Sequence, residues 1–163
     1  CRDRLVGVDR SRGMLDVARS RELPGSAPLT LLNQDALTFD GSGFDLVTCF
    51  GAHGHIVPRD QPRFAHVVYD ALRPGGILFS SNPRGNDEGW QGQRYGHYME
   101  LEASQSYLKA AGFEILHHYY RPAEKPRHEQ PWLAIVSRSV NRETNESPPT
   151  ESVTNSLKPQ KAC

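Results

Sequence analysis

Two histidines, His53 and His55, follow a short apolar run, Phe44 to Phe50, just past Gly51. An unperturbed imidazole titrates near neutral pH, so either ring suits removal of a proton from a bound molecule. The competing role is local: each can bond to backbone or face solvent. The H-x-H spacing alone makes a poor metal site, because no third ligand stands at a recognisable distance along the chain. His117 and His118 are neighbours on a predicted strand, where successive side chains point to opposite faces, so they are unsuited to sharing an ion. Asp9 ends an earlier apolar run, Leu5 to Val8, and a helix-like segment follows at once. A carboxylate at a strand end can accept from both hydroxyls of a ribose. It can also simply cap the helix behind it. The three cysteines, Cys1, Cys49 and Cys163, show no C-x-x-C spacing, and Cys49, inside an apolar run, reads as a small buried hydrophobe.

These residues need elements to hold them. Leu5–Val8 is too short for a helix and reads as a buried strand of parallel type. Ser11 to Arg21 reads as a helix with Met14, Leu15 and Ala18 at helical spacing, stopped by Pro24-Gly25. Leu29 to Asn33 is a second strand, and Phe44 to Phe50 a third. Phe64, Val67, Val68, Ala71 and Leu72 form one apolar stripe, the clearest helix in the chain, ended by Pro74-Gly75-Gly76. Ile77 to Ser81 is a fourth strand. The polar stretch Pro83 to Gly96 is expected to be a long surface loop, with Trp90, Arg94 and Tyr95 as a cover over substrate. A helix over Glu102–Ala111, with Gly112 past its end, precedes strands at Phe113–Tyr120 and Trp132–Ser137. Those two strands are joined by a polar loop without a helix, so they are expected to pair antiparallel.

The chain has 163 residues, enough for one domain. Nineteen basic residues balance nineteen acidic ones and are dispersed, which gives no basic stripe for nucleic acid. No apolar run reaches the length of a membrane span, and cysteine usage points to a reduced, cytoplasmic protein. Residues 1–139 are expected to form the domain and 140–163 a disordered tail, poor in aromatic and apolar residues. The first residue is Cys, and the apolar pattern starts almost immediately, so the sequence is expected to begin inside a longer domain. Early alternation of strand and helix implies an α/β fold: a Rossmann-like, mostly parallel sheet with helices on both faces and a C-terminal antiparallel hairpin.

With these strand ends, the chain resembles the class I S-adenosylmethionine-dependent methyltransferases over roughly residues 4 to 139. Val6-Gly7-Val8-Asp9-x-Ser11-x-x-Met14-Leu15-x-x-Ala18-Arg19 resembles that family's second strand and following helix. Asn33-Gln34-Asp35-Ala36 is similar to the end of its third strand, Phe44 to Gly51 to its fourth strand and exit, and Leu72-Arg73-Pro74-Gly75-Gly76 to the turn before its fifth. The resemblance implies S-adenosyl-L-methionine as cofactor. It does not name the acceptor, and with no basic groove for nucleic acid a small molecule is expected. Asp9 would accept from the ribose hydroxyls, and Arg10 and Met14 would lie beside the adenine. Asp35 would accept from the exocyclic amine, with the Ala36 amide near a ring nitrogen. Phe50 and Gly51 would border the sulfonium, with Gly51 allowing close backbone approach. His53 and His55 would stand as candidate bases. For Met14 the alternative is plain core, and for Asp35 a turn residue.

One element of the pattern is not found. The family's first strand ends in a Gly-rich loop of G-x-G-x-G type, expected some twenty residues before Asp9, and only eight residues precede Asp9 here. Two other readings therefore stay open at the level of sequence. One is a catalytically inactive methyltransferase-like fragment or interaction module. The other is an NAD-dependent oxidoreductase, which also uses an acidic strand end for ribose. Against the second stand the Pro-Gly-Gly turn and the terminal strand pair. Asn82-Pro83 lacks the rest of the N-P-P-Y signature of amino-methyltransferases.

Overall fold

A computed structural model describes residues 4–21 and 28–140. Three parallel-type strands form where the short apolar runs lie: β1 (Leu5–Asp9), β2 (Leu29–Asn33) and β3 (Phe44–Phe50). Between β1 and β2 runs α1 (Arg12–Arg19), which buries Leu15 and leaves Met14 exposed. Ser11 caps it, its Oγ accepting from the Met14 N–H at 3.3 Å. Asp9 is thus not the helix cap. Pro24-Gly25, Cys1, Cys163 and all of the predicted tail except Val140 lie outside the described residues.

The clearest amphipathic stripe gives α2 (Gln61–Ala71), with Phe64, Ala65, Val68 and Ala71 buried. The strand after it is longer than its apolar run. β4 spans Leu72–Pro83 and takes the Pro74-Gly75-Gly76 turn in as an irregularity, the register moving from Phe44↔Leu72 to Leu46↔Ile77. Gly75, at φ 76°, supplies the left-handed residue that this bulge requires.

The segment expected as a surface loop is instead a hairpin, β5 (Glu88–Gln91) and β6 (Arg94–His97). Gly92 and Gln93 connect the two strands, with Gly92 at φ 63°. Glycine at the first central position is what a two-residue hairpin favours. After it come α3 (Leu101–Ala110), β7 (Phe113–Arg121) and β8 (Trp132–Ser139). Gly112 stands at φ 103°, as its place past the helix end predicts.

β3, β4, β8 and β7 form one sheet in that order; β3–β4 is parallel and the other two pairs antiparallel. α2 and α3 pack on one face of it, where Cys49, Phe64, Val68, Leu78, Leu108, Phe113, Leu133 and Ile135 make the core. Truncating a buried aromatic such as Phe64 to Ala costs about 3–5 kcal/mol in such a setting. Alternate residues of β3 face the other way and stay exposed, Leu46 at 54% and Phe50 at 67%. β1 and β2 pair in parallel only with each other among the described residues. Arg4 joins this smaller sheet to the larger one: its guanidinium donates to the Ser42 carbonyl at 3.0 Å and lies 4.4 Å from the centre of the Phe44 ring. The fold is the expected α/β arrangement with a C-terminal antiparallel pair.

Candidate active site

Three strand ends carry the residues picked out above. At the end of β1, Asp9 Oδ1 accepts from the Ser11 N–H at 2.7 Å, which fixes the turn into α1. Oδ2 has no partner among the described residues. Asn33, at the end of β2, clamps the same turn. Its Nδ2 donates to the carbonyls of Asp9 (3.1 Å) and Arg10 (2.8 Å), and its Oδ1 accepts from Arg12 Nε at 3.2 Å. Asn33 was visible as part of a motif, but its work is done across 24 residues of chain, which local sequence does not show.

Asp35 begins a short 3-10 turn, Ala36–Thr38, and accepts there from the Leu37 N–H at 2.9 Å through Oδ1. It is therefore a turn residue in fact. Its Oδ2 lies 3.6 Å from Arg10, an exposed pair. Exposed pairs contribute about 0–1 kcal/mol, so Arg10 moves at little cost. The Ala36 N–H, the first of its helical turn, has no acceptor among the described residues. Met14, 59% exposed, is not core.

At the end of β3, Phe50 stands 67% exposed, its ring 5.3 Å from that of Phe79. Gly51 donates its N–H to the Ser81 carbonyl at 2.8 Å with φ at 71°. Nothing lies within 4 Å of where its Cβ would be. The left-handed backbone favours glycine here, and the space beside it is open.

The chain then makes a 3-10 turn over His53–His55, and the two histidines part company. His53 is buried, 5.5 Å from the Phe64 ring. Burial pushes its imidazole down to about 4, with the Gln61 side chain opposing the shift and nearby His97 reinforcing it. Its Nε2 is buried without a hydrogen-bond partner. Gln61, fully buried, holds this turn in place. Its Nε2 donates to the carbonyls of His53 (3.1 Å) and Ile56 (2.8 Å) and lies 3.4 Å from His97 Nδ1 on β6. Asn82, near the end of β4, adds a bond from the Gly54 N–H to its Oδ1 at 3.2 Å. Sequence reasoning gave no role to Gln61, because its partners are backbone carbonyls.

His55 lines a cleft of about 300 Å³ with Gly51, Gly54, Pro83, Gln91, Arg94, Tyr95, Tyr98 and Trp132. Its Nδ1 lies 2.6 Å from the Tyr95 carbonyl, which can only accept. Nδ1 therefore carries the proton, and Nε2 of the neutral ring is left with a free lone pair. Among the described residues no group of three or more His, Cys, Asp or Glu could hold a metal ion. Burial pushes the Cys49 thiol up to about 12, which makes it an inert part of the core.

Strand ends of this kind, with polar side chains outside the carboxyl ends of parallel strands, define a ligand-binding α/β fold of Rossmann-like type. A family model described as a methyltransferase domain matches residues 1–76. The fold is also that of an S-adenosylmethionine-dependent methyltransferase from Clostridium acetobutylicum, with TM-score 0.68 and 17% identity over 83% of this chain and 75% of that one. It is similar as well to the 1,6-didemethyltoxoflavin-N1-methyltransferase of Burkholderia thailandensis, solved with 1,6-didemethyltoxoflavin and S-adenosylhomocysteine. There the TM-score is 0.66 at 18% identity, over 83% of this chain and 61% of that one. The fold is thus that of the class I S-adenosylmethionine-dependent methyltransferases. Among curated proteins it is 36% identical over 112 residues to the carboxy-S-adenosyl-L-methionine synthase of Campylobacter fetus, matching 68% of this chain and 47% of that protein. The corresponding synthase of Wolinella succinogenes is 29% identical over 64% of this chain and 44% of its own length. The chain thus spans about half the length of the curated relatives it matches. Among the described residues no helix is long and apolar enough to cross a membrane.

Proposed function

We propose that this chain serves methyl transfer from S-adenosyl-L-methionine to a small-molecule acceptor. The observation that carries the reading is the pair of uncommitted acceptors at two strand ends, Asp9 Oδ2 after β1 and His55 Nε2 after β3. The free Ala36 N–H and the exposed Met14 and Arg10 side chains fit a nucleoside along the ends of β1 and β2. Asp9 accepts from the ribose hydroxyls, and Asp35 accepts from the exocyclic amine through lone pairs left by Leu37 and Arg10. Ala36 donates to a ring nitrogen, while Arg10 and Met14 flank the adenine. Phe50 and Gly51 border the reactive end. When bound, the cofactor supplies an electrophilic methyl group on a sulfonium, so the protein has chiefly to position the acceptor. His55 Nε2 takes the acceptor's proton as the new bond forms. His53 has no such role. It is buried behind the turn, and with Gln61 it fixes where His55 stands.

Isothermal titration with S-adenosylmethionine, S-adenosylhomocysteine and NAD tests this reading. The expected result is binding of the first two, weakened by Asp9→Ala on the order of 30-fold or more, as for loss of a charged hydrogen-bond acceptor. Binding of NAD alone would sink the proposal. Binding of S-adenosylhomocysteine without any turnover would favour an inactive module.

A second reading follows from the curated relatives, which are named carboxy-S-adenosyl-L-methionine synthases. In it the sulfonium compound is itself the molecule modified. Mass spectrometry of the product pool distinguishes the two: a carboxylated sulfonium in one case, S-adenosylhomocysteine with a methylated acceptor in the other.

A further inference from the structure

The β5–β6 hairpin sorts its side chains by the alternation of a strand. Trp90 faces Tyr95 across the ladder, and Gln91 faces Arg94. Gln91, Arg94 and Tyr98 line the cleft, and Gly96 lies between the last two on the same side. A Cβ on Gly96 would lie 3.2 Å from Gln91 Nε2 and 3.3 Å from Tyr98 Cε1. The absence of a side chain there is what lets Tyr98 Oη donate to Gln91 Oε1 at 2.7 Å. That bond uses the acceptor end of the Gln91 amide and turns its N–H₂ free. Arg94 has neither a carboxylate nor a carbonyl partner among the described residues. The Trp132 indole N–H has none either.

The cleft wall is therefore rich in unused N–H donors. No carboxylate lines it. Glu88 sits at the alternate positions of the hairpin, where it accepts from Tyr95 Oη at 2.7 Å. Desolvation, then Glu88, pushes that phenol up to about 12, so it stays a donor to Glu88. A second cation lies behind the wall: the Arg121 guanidinium is 5.7 Å from the centre of the Trp132 ring. It donates to Ser81 Oγ, and its Nε is buried without a partner. His55 lines the same cleft and, with Nδ1 on the Tyr95 carbonyl, leaves Nε2 of the neutral ring as an acceptor.

We propose that the cleft takes an acceptor bearing both a carboxylate and a hydroxyl or amine. The carboxylate pairs with Arg94 and the Gln91 amide, and the hydroxyl or amine is held at His55 Nε2. This rests on the methyl-transfer reading for its use but not for its binding. A carboxylate matches the planar fork of an arginine, and a guanidinium without a partner gains most from one. A volume of about 300 Å³ suits a single-ring molecule.

The test compares meta-hydroxybenzoate with meta-hydroxybenzamide, which keeps the ring and hydroxyl and removes only the charge. Binding to the chain is followed by NMR at fixed ionic strength, through the Arg94 and Gln91 side-chain resonances. The acid is expected to shift both and to bind on the order of tenfold or more tighter than the amide. Arg94→Gln should erase that preference and Arg94→Lys keep part of it. Arg138→Gln, which removes the same charge at the far end of the sheet where β8 pairs with Ile77, should leave it intact. Equal affinities, a preference that survives Arg94→Gln, or no binding of the acid to a chain with a dispersed spectrum would each overturn the proposal. A preference for the acid without any binding of S-adenosylhomocysteine keeps the anion cleft and removes the methyl-transfer reading. Binding of S-adenosylhomocysteine with no preference for the acid does the reverse.

Discussion

His53 and His55 are two residues apart, and the sequence offers them as equals. The structure separates them by burial. His53 is neutral at ordinary pH because burial lowers its pKa in the folded chain to about 4, from the ordinary imidazole value of 6.5. A lowered histidine pKa means that the unfolded chain binds the extra proton more readily. The stabilisation tied to the neutral ring is complete above about pH 6.5 and is lost as pH falls towards 4. Its full size is on the order of 3 kcal/mol, taking ~1.4 kcal/mol for each pK unit. Urea unfolding at several pH values should show stability dropping through this window, and His53→Phe should flatten that part of the curve. A slope unchanged by the substitution would mean that another group titrates there. His55→Ala should leave the unfolding midpoint nearly unchanged, since the side chain is exposed. In the proposed role of base, its loss should lower turnover about 10²–10⁴-fold. If His53→Phe and His55→Ala instead reduced turnover equally in folded protein, the division of roles would fail.

At the scale of elements, the parts read most easily were those whose chemistry is a run of apolar residues. Leu5–Asp9, Leu29–Asn33 and Phe44–Phe50 are short, apolar and bounded by breakers, and they are strands in the structure. The stripe from Phe64 to Ala71 gave α2 because its spacing is helical, whereas Leu72, expected to close the stripe, already begins β4. The β5–β6 hairpin was missed for the opposite reason. Glu-Gly-Trp-Gln and Arg-Tyr-Gly-His bury almost nothing, and Trp90 remains 75% exposed. The signal that was present is Gly92-Gln93 flanked by Trp90 and Tyr95, a two-residue turn with aromatics paired across it. Candidate residues could be named, but not which of them share a face, because that depends on the register of the hairpin. Gly96→Val tests this element directly. The added side chain must displace Gln91 or Tyr98, at a cost of about 1–3 kcal/mol where packing is tight and less if the exposed hairpin gives way. The expected outcome is loss of small-molecule binding in the cleft with the core still folded, read by NMR shifts and thermal unfolding together. Retained affinity would show that the cleft does not use this face.

The described residues form three hydrogen-bonded sheets, and the two that carry the parallel strands are of unequal quality. The four-stranded sheet carries nearly all of the buried core, whereas β1 and β2 contain no fully buried residue and α1 contributes Leu15 alone. Stability in a folded chain is not uniform, and units with few buried apolar contacts open first. The proposed ribose grip, Asp9 with Asn33 behind it, therefore sits on a unit that opens more easily than the four-stranded sheet. Native-state hydrogen exchange should show amides of Gly7 and Leu32, which bond across the β1–β2 ladder, protected on the order of 100-fold less than those of Leu78 and Ala134. A ligand held by Asp9 adds its binding energy to that unit first. At about a hundred times its dissociation constant it stabilises the bound form by ~2.7 kcal/mol. S-adenosylhomocysteine should then raise protection in β1 and β2 towards that of the larger sheet, with little change at Leu78 and Ala134 so long as these exchange only by global opening of an already stable core. Asp9→Ala should abolish the rise without altering protection in the larger sheet. Equal protection of the two units before ligand would mean that the chain opens as one body, and the ribose grip would then be as rigid as the core.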